Sequence, residues 1–345
     1  MGGMTQESET ASLADGRWLA HRHDYQRNAY RFVWAPREVQ QAAIFATDEY
    51  LAADLPRRTV AAQEAGPALG KAPISFVFHS AFCCSTLMSR ALDIEGAVTS
   101  LKEPMILNDL VGYALQGGPA EHLPRIANAS LAMLQRPLGE DRCVVMKPSS
   151  VVNAFAPLLM QTRPEAPALF MYAPLPVFLG SIARKGLWGR LWVRELFTKL
   201  HRLGRVDLGF SEADFFQQSD LQIAAAGWLA QHKLFHALGR DVGAGRLRSL
   251  ESETFTARPA QSLEAVARLF GLDLAEERVA MIAKGEAFRQ HSKFGESFSA
   301  EEREAVRARE EDAHRDEIEK VSAWAAEVAR GQGIAMAGPN PLLEG

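Results

Sequence analysis

The sequence predicts an α/β protein with a central parallel sheet flanked by helices, and three observations lead there. Three compact, mostly apolar runs have strand length, Ile74–His79, Arg142–Lys147 and Ala168–Tyr172, and Leu247–Glu251 is a fourth strand candidate. The first three are each followed by helical spacing, over 85–93, from near Ser149 and from near Pro176. Near-continuous hydrophobic strands that alternate with helices are buried on both faces, as in parallel sheets. The composition agrees: 47% of the 345 residues are hydrophobic and 23% charged, which excludes wholesale disorder.

In chain order, residues 1–16 read as a disordered lead. Tyr30–Trp34 reads as a short strand, and Pro36 to Tyr50 as a helix opened by proline. The Gly/Pro/Ala-rich passage from Ala65 to Pro73 reads as a linker or a surface loop. Residues 221–238 predict a long, mostly buried helix. The stretch from Ala300 to Arg330 predicts a charged amphipathic helix or pair that supports the fold or binds a partner. The division expected is 1–72 as an N-terminal appendage and linker, 73–299 as the α/β domain, and 300–345 as a charged helical extension.

Charge and cysteine usage narrow the class. There are 38 basic and 42 acidic residues, a net charge of −4, too mild to point to nucleic acid or a membrane surface as partner. No apolar run approaches the roughly 20 residues that span a bilayer. The first residues are polar and acidic, unlike a signal peptide. Three cysteines, with Cys83 and Cys84 adjacent, cannot build a disulfide framework, so a cytoplasmic, reducing compartment is expected. The oligomeric state stays open.

The segment after the first apolar strand, Phe78-His79-Ser80-Ala81-Phe82-Cys83-Cys84-Ser85-Thr86-Leu87, carries the most chemistry. A buried strand leads into small residues, a Ser-Thr pair and a helix. Unpaired amides and the positive dipole end at a helix start suit a phosphate or sulfate, and two hydroxyls add donors. The alternative is that Ser85 only caps a helix and the cysteines fill core. The GxxxxGK[ST] of nucleoside triphosphatases is absent, which argues against an ATPase or GTPase.

Laid beside the rest of the chain, this segment resembles the sulfotransferases that use 3′-phosphoadenosine 5′-phosphosulfate (PAPS). Their loop has the form P-[RK]-S-G-[ST]-T-L, and Ser85, Thr86 and Leu87 match its end. Lys102-Glu103-Pro104 follows, with Glu103 at the spacing of the base in the tyrosine-sulfating branch. Lys147-Pro148 resembles the lysine after the next strand. Phe170 to Lys185 resembles the strand and helix that bind the 3′-phosphate. Arg246 to Leu272 resembles a strand, turn and helix of the family, and His291-Ser292-Lys293 a late closing loop. The resemblance covers about Pro73 to Gly295. It departs where Phe82 replaces the loop's basic residue, where Cys84 replaces its glycine, and where Tyr172 or Ala173 replaces the strand arginine.

The resemblance implies a P-loop-containing sulfotransferase-like fold, PAPS as co-substrate, no metal, and a small-molecule or peptide acceptor with a hydroxyl or amine. It implies a phosphosulfate cradle of Ser80, Cys83, Cys84, Ser85 and Thr86. Lys147 or Lys102 would steady the departing phosphate, Ser181 and Arg184 would hold the 3′-phosphate, and Lys293 would close over the donor. Glu103 would be the general base; as a bare sequence feature it is equally a solvated turn. His79 would be a base, a phosphate donor or a core histidine. The alternative function is a catalytically idle sulfotransferase-like module that binds a nucleotide or a partner, favoured by the missing loop cation. A P-loop kinase is a third reading.

Two further features have two readings each. The basic stretch from Arg184 to Arg205 holds only Glu195 as an acid. Its cations are either solvated on an amphipathic helix packed through Trp188, Leu191, Trp192, Leu196 and Leu200, or a basic wall for an anionic ligand. Trp228, His232 and His236 fall on one helix face, as core or as part of a metal site.

Overall fold

The computed structural model describes residues 7–9, 11–285, 288 and 300–343, side chains excepted over 300–313. Strands β1 (Trp18–Asp24), β2 (Ala29–Trp34) and β3 (Arg57–Ala61) form a three-stranded antiparallel sheet in that order. Strands β4 (Ile74–His79), β5 (Val98–Lys102), β6 (Cys143–Lys147), β7 (Ala168–Tyr172) and β8 (Leu247–Glu251) form the central parallel sheet, in the order β5-β6-β4-β7-β8. In it β4 and β5 both pair in parallel with β6, with Phe76 opposite Met146 and Lys102 opposite Lys147. β4 and β7 are buried along their whole length, which explains why they read as unbroken apolar runs. Helices flank the sheet, as the alternation in the sequence predicts.

The chain divides into two compact units. The first comprises the described residues up to His79, then 85–169 and 268–273. Here the small sheet is fastened to the Met105–Leu115 helix by Asp109, which accepts from the His23 amide at 2.7 Å and from Arg22 Nε at 3.0 Å. The described part of the N-terminal lead is ordered, contrary to expectation. Arg136 is buried and donates to the carbonyls of Asp15 and Trp18, while Arg58 donates to those of Ser8 and Ala11. Guanidinium groups with several donors organise an apolar-poor segment that hydropathy misses. The expected linker is pinned as well: the Gly70 amide donates to Ala132 at 2.8 Å, and a Cβ at Gly70 would lie 2.1 Å from the Gln135 carbonyl oxygen. The expected helix from Pro36 covers only Arg37–Ala42, because Ala43 turns extended.

The second unit comprises Ser80–Cys84, 170–267 and the described residues from 274 onward. Its axis is the Asp220–Val242 helix, opened by a capping box between Ser219 and Gln222. Phe235 of that helix stacks on Phe170 with ring centroids 4.0 Å apart. The C-terminal stretch forms one long helix, Ala300–Gln332. Beyond it, Pro341 bridges in parallel to Ser249 of β8.

Candidate functional site

In a parallel sheet the carboxyl ends of the strands are where ligands bind. In the first unit the carboxyl ends of β4, β5 and β6 deliver His79, Lys102 with Glu103, and Lys147. Lys147 is fully buried, and its ammonium pairs with Glu103 Oε1. The Glu103 amide donates to the Lys147 carbonyl at 2.6 Å, so backbone and side chain tie the two residues together. Lys147 Nζ also lies 5.0 Å from the ring centroid of Phe45. His79 Nε2 is 3.0 Å from the Pro148 carbonyl oxygen and 3.7 Å from Glu103 Oε1. A carbonyl only accepts, so Nε2 carries the proton. Asn153 steadies the strand end by donating to the His79 carbonyl at 2.9 Å.

Glu103 itself is held at φ +53°. The left-handed region is disfavoured for a side chain that bears a Cβ, at a cost on the order of 1 kcal/mol. Its partners over-determine that conformation. Both the Lys147 and His79 contacts fall on Oε1, which leaves Oε2 for another donor. The group is a partly accessible carboxylate held by a buried cation, with an imidazole 3.7 Å away. Such an arrangement can accept a proton from a hydroxyl or amine.

Lys102 is placed differently from Lys147, although the two are opposite each other in the register. It donates to the Ala43 and Gln41 carbonyls at 2.6 and 3.2 Å, at the end of the Arg37–Ala42 helix. Burial pulls its ammonium down to about 8. Ser85 and Thr86 open the Ser85–Ala91 helix and are both buried. That helix is joined to β5 by a 2.7 Å hydrogen bond between Ser89 and Ser100.

In the second unit the Ser80–Cys84 segment is a strained loop held on β7. The Ser80 amide and the Cys83 thiol both donate to the Met171 carbonyl, at 3.0 and 3.3 Å. Ala81, Phe82 and Cys84 have φ of +70°, +50° and +59°. Cys84, expected from the resemblance to replace a glycine, thus keeps a backbone conformation that glycine adopts without strain. Cys83 is core. Phe82 packs edge-on to Trp192 at 5.3 Å, and Lys185 Nζ lies 5.5 Å over the Phe82 ring. Ser181 donates to the Val177 carbonyl one turn back and accepts from Arg184 Nη2 at 3.1 Å, so this expected pair does meet.

The rest of the basic stretch is largely answered by acids. Arg190 and Arg194 pair with acids distant in sequence, Glu317 at 2.9 Å and Asp220, while Lys199 pairs one turn back with Glu195 at 2.5 Å. The Gly186–Arg202 helix buries Gly189, Val193, Leu196, Phe197 and Leu200, while Trp188 and Leu191 are exposed. The expected packed face is therefore rotated: Leu196 and Leu200 belong to it, Trp188 and Leu191 do not. His232 is core, stacked on Trp228 at 3.5 Å and pushed down to about 3 by burial. No group of three potential metal ligands occurs among the described residues. His291, Ser292 and Lys293 lie outside the described residues. Phe45 and Asn153 are contributors that the sequence does not assign to a site, and neither has a local signal; Lys185 belongs to the basic wall expected from the basic run.

Neither a protein-family model nor a curated protein sequence matches the chain. Solved structures do. A sulfotransferase from Mycobacterium avium is 11% identical, with 70% of this chain and 76% of that one covered and a TM-score of 0.44. The sulfotransferase domain of the Synechococcus PCC 7002 olefin synthase is 14% identical, with 65% and 82% covered and a TM-score of 0.41. A sulfotransferase from Alicyclobacillus acidocaldarius is 15% identical, with 73% and 97% covered and a TM-score of 0.37. At such identities the site's own chemistry has to carry the functional argument. No helix among the described residues is long and apolar enough to cross a membrane.

Proposed function

We propose that this chain is a sulfotransferase that moves a sulfonate group from PAPS to a hydroxyl or amine of a small-molecule or peptide acceptor. The observation that carries the reading is the meeting of Glu103, Lys147 and His79, from three different strand ends, in one buried polar cluster. In the proposed reaction the acceptor oxygen or nitrogen attacks sulfur as the bond from sulfur to the phosphate oxygen breaks. The acceptor's proton passes to Glu103 Oε2, and the bond electrons leave with the phosphate of 3′,5′-bisphosphoadenosine (PAP). By analogy with phosphoryl transfer, most of the barrier is lowered by positioning and electrostatics. Lys147 fixes the carboxylate and supplies positive charge at the strand ends. Ser80, Cys83, Cys84, Ser85 and Thr86 are assigned to the phosphosulfate, and Ser181 with Arg184 to the 3′-phosphate. Lys102 is assigned to fastening the Arg37–Ala42 helix, and the cytoplasm is the proposed compartment.

One observation favours the second reading, a module that binds nucleotide without transfer. Phe82 stands where the family's loop carries a cation, and its ring is packed on Trp192. Calorimetric titration with PAP, ATP and AMP, followed by turnover of PAPS with a panel of phenols, alcohols and amines, separates these readings. Tighter binding of PAP than ATP together with transfer supports the enzyme. PAP binding without transfer to any acceptor supports the idle module, and equal or tighter ATP binding contradicts the enzyme and favours the kinase reading.

A further inference from the structure

Away from the strand ends, the first unit contains a cavity of about 410 Å³ between the small sheet and the helices Met105–Leu115 and Leu123–Leu134. That is within the ordinary range for small-molecule sites. Its walls are aromatic. His23 stacks on Tyr30 at 4.3 Å and lies 4.0 Å from Tyr25, and Tyr25 lies 4.7 Å from Tyr113. Tyr113 is held from behind: its hydroxyl is 2.8 Å from His122 Nδ1, and a Cβ on Gly118 would meet its ring at 2.3 Å.

Three polar atoms in these walls lack partners. Both ring nitrogens of His23 and the hydroxyl of Tyr25 are buried without a hydrogen bond. A buried polar atom left unmade costs stability, so a native structure that keeps several together calls for an explanation. A ligand supplies one. The full charge on the lining is that of the exposed Arg125, and no carboxylate lines the cavity. The nearby Asp109 is already bonded to Arg22 and to the His23 amide. Burial drives His23 down to about 4, so at neutral pH its imidazole offers one donor and one acceptor.

We propose that this cavity is a binding site for a planar aromatic anion of the aryl carboxylate class. The ring lies among His23, Tyr25, Tyr30 and Tyr113, the carboxylate pairs with Arg125, and a polar ring substituent is met by Tyr25 and His23. Stacking on aromatic faces supplies affinity for the ring. A guanidinium supplies two-point recognition of the carboxylate. An aromatic cage for a quaternary ammonium would be opposed by Arg125. The site stands independently of the sulfonate-transfer reading.

The test is calorimetry and saturation-transfer NMR on the full chain with 4-hydroxybenzoate, its uncharged methyl ester and benzyltrimethylammonium. The carboxylate should bind best. Arg125→Ala should weaken it about tenfold or more, the worth of a charge-assisted contact, and leave the ester unchanged. Tyr113→Ala should weaken both, and Glu103→Gln neither. The proposal is overturned if 4-hydroxybenzoate does not bind or binds no better than the ester. Tighter binding of benzyltrimethylammonium, or equal binding of the carboxylate to the Arg125→Ala chain, overturns it too. Arg125 is exposed, so that variant is expected to fold.

Discussion

The strand-end cluster and the aromatic cavity belong to the same compact unit, and they treat buried polar groups in opposite ways. At the strand ends the charged groups answer one another: Lys147 with Glu103, His79 with Pro148, Lys102 with two carbonyls. In the cavity His23 and Tyr25 are left without partners. The first arrangement is preorganised and costs little to keep. The second leaves polar atoms without protein partners, a desolvation penalty that a bound ligand would relieve. The comparison teaches that a charge-dense cluster and a partner-poor cavity suit different jobs, and the two proposals assign chemistry to one and recognition to the other.

The comparison can be broken most easily at Lys147. If the cluster is balanced, Lys147→Met strands the Glu103 carboxylate and should lower stability by about 3–5 kcal/mol, the usual cost of halving a buried pair. The Lys147→Met/Glu103→Gln double variant should recover a large part of that loss, which urea unfolding of the four chains reads as a coupling energy. A loss under about 1 kcal/mol in the single variant would mean the pair is not a buried unit.

A smaller effect is expected at Lys102, and it depends on pH. Its folded value of about 8 lies below the ordinary 10.5, so between these values the unfolded chain binds more protons. Stability from this group is therefore lowest below pH 8 and rises as pH goes from about 8 to about 10. Lys102→Met should lack that rise, so the stability difference between the two chains should shift in favour of the native chain across this window. Parallel pH profiles would contradict the account.

The loop predicts an effect of about 1 kcal/mol. Cys84→Gly should stabilise by roughly that amount, because glycine removes the strain at φ +59° but adds unfolded-state entropy. Thermal unfolding checks it, and a destabilised variant would show that the cysteine side chain outweighs the strain. The smallest effect is expected in the cavity. Tyr25→Phe removes a hydroxyl that has no partner, and stability should stay within about 1 kcal/mol of the native chain or rise. A loss of several kcal/mol would show that the hydroxyl is satisfied and would dissolve the contrast with Lys147.

How much of this was legible follows from where the partners sit. β4, β6 and β7 could be read because their side chains are mostly apolar and buried, and β8 was a candidate although only its two leucines are apolar. β5 could not. Its sequence, VTSLK, looks like a loop, yet all five residues are buried. Thr99 is bonded to Asp141, Ser100 to Ser89 and Lys102 to the Ala43 carbonyl, all partners distant in the chain. β1 was hidden for the same reason, its polar residues answered by Asp48 and Asp109. His79 and Lys147 could be singled out because each ends a strand that could be read, and Glu103 because Lys102-Glu103-Pro104 falls at the spacing the resemblance implies. That Lys102 would turn to carbonyls, and that Glu103 and Cys84 would take left-handed backbone, has no local signal when glycine is absent. The cavity had none either, since its rings come from β1 (His23), the turn after it (Tyr25), β2 (Tyr30) and the distant Met105–Leu115 helix (Tyr113).

The central claim is that Glu103 takes the acceptor's proton, and one pair of measurements on Glu103→Gln tests it most directly. The variant keeps the size of the side chain and loses the proton acceptor. Turnover of PAPS with a saturating acceptor should fall about 10²–10⁴-fold, the worth of a general base. The affinity for PAP, measured on the same preparation, should stay within about twofold. Unchanged turnover would contradict the account, and so would a loss of PAP affinity as large as the loss of rate.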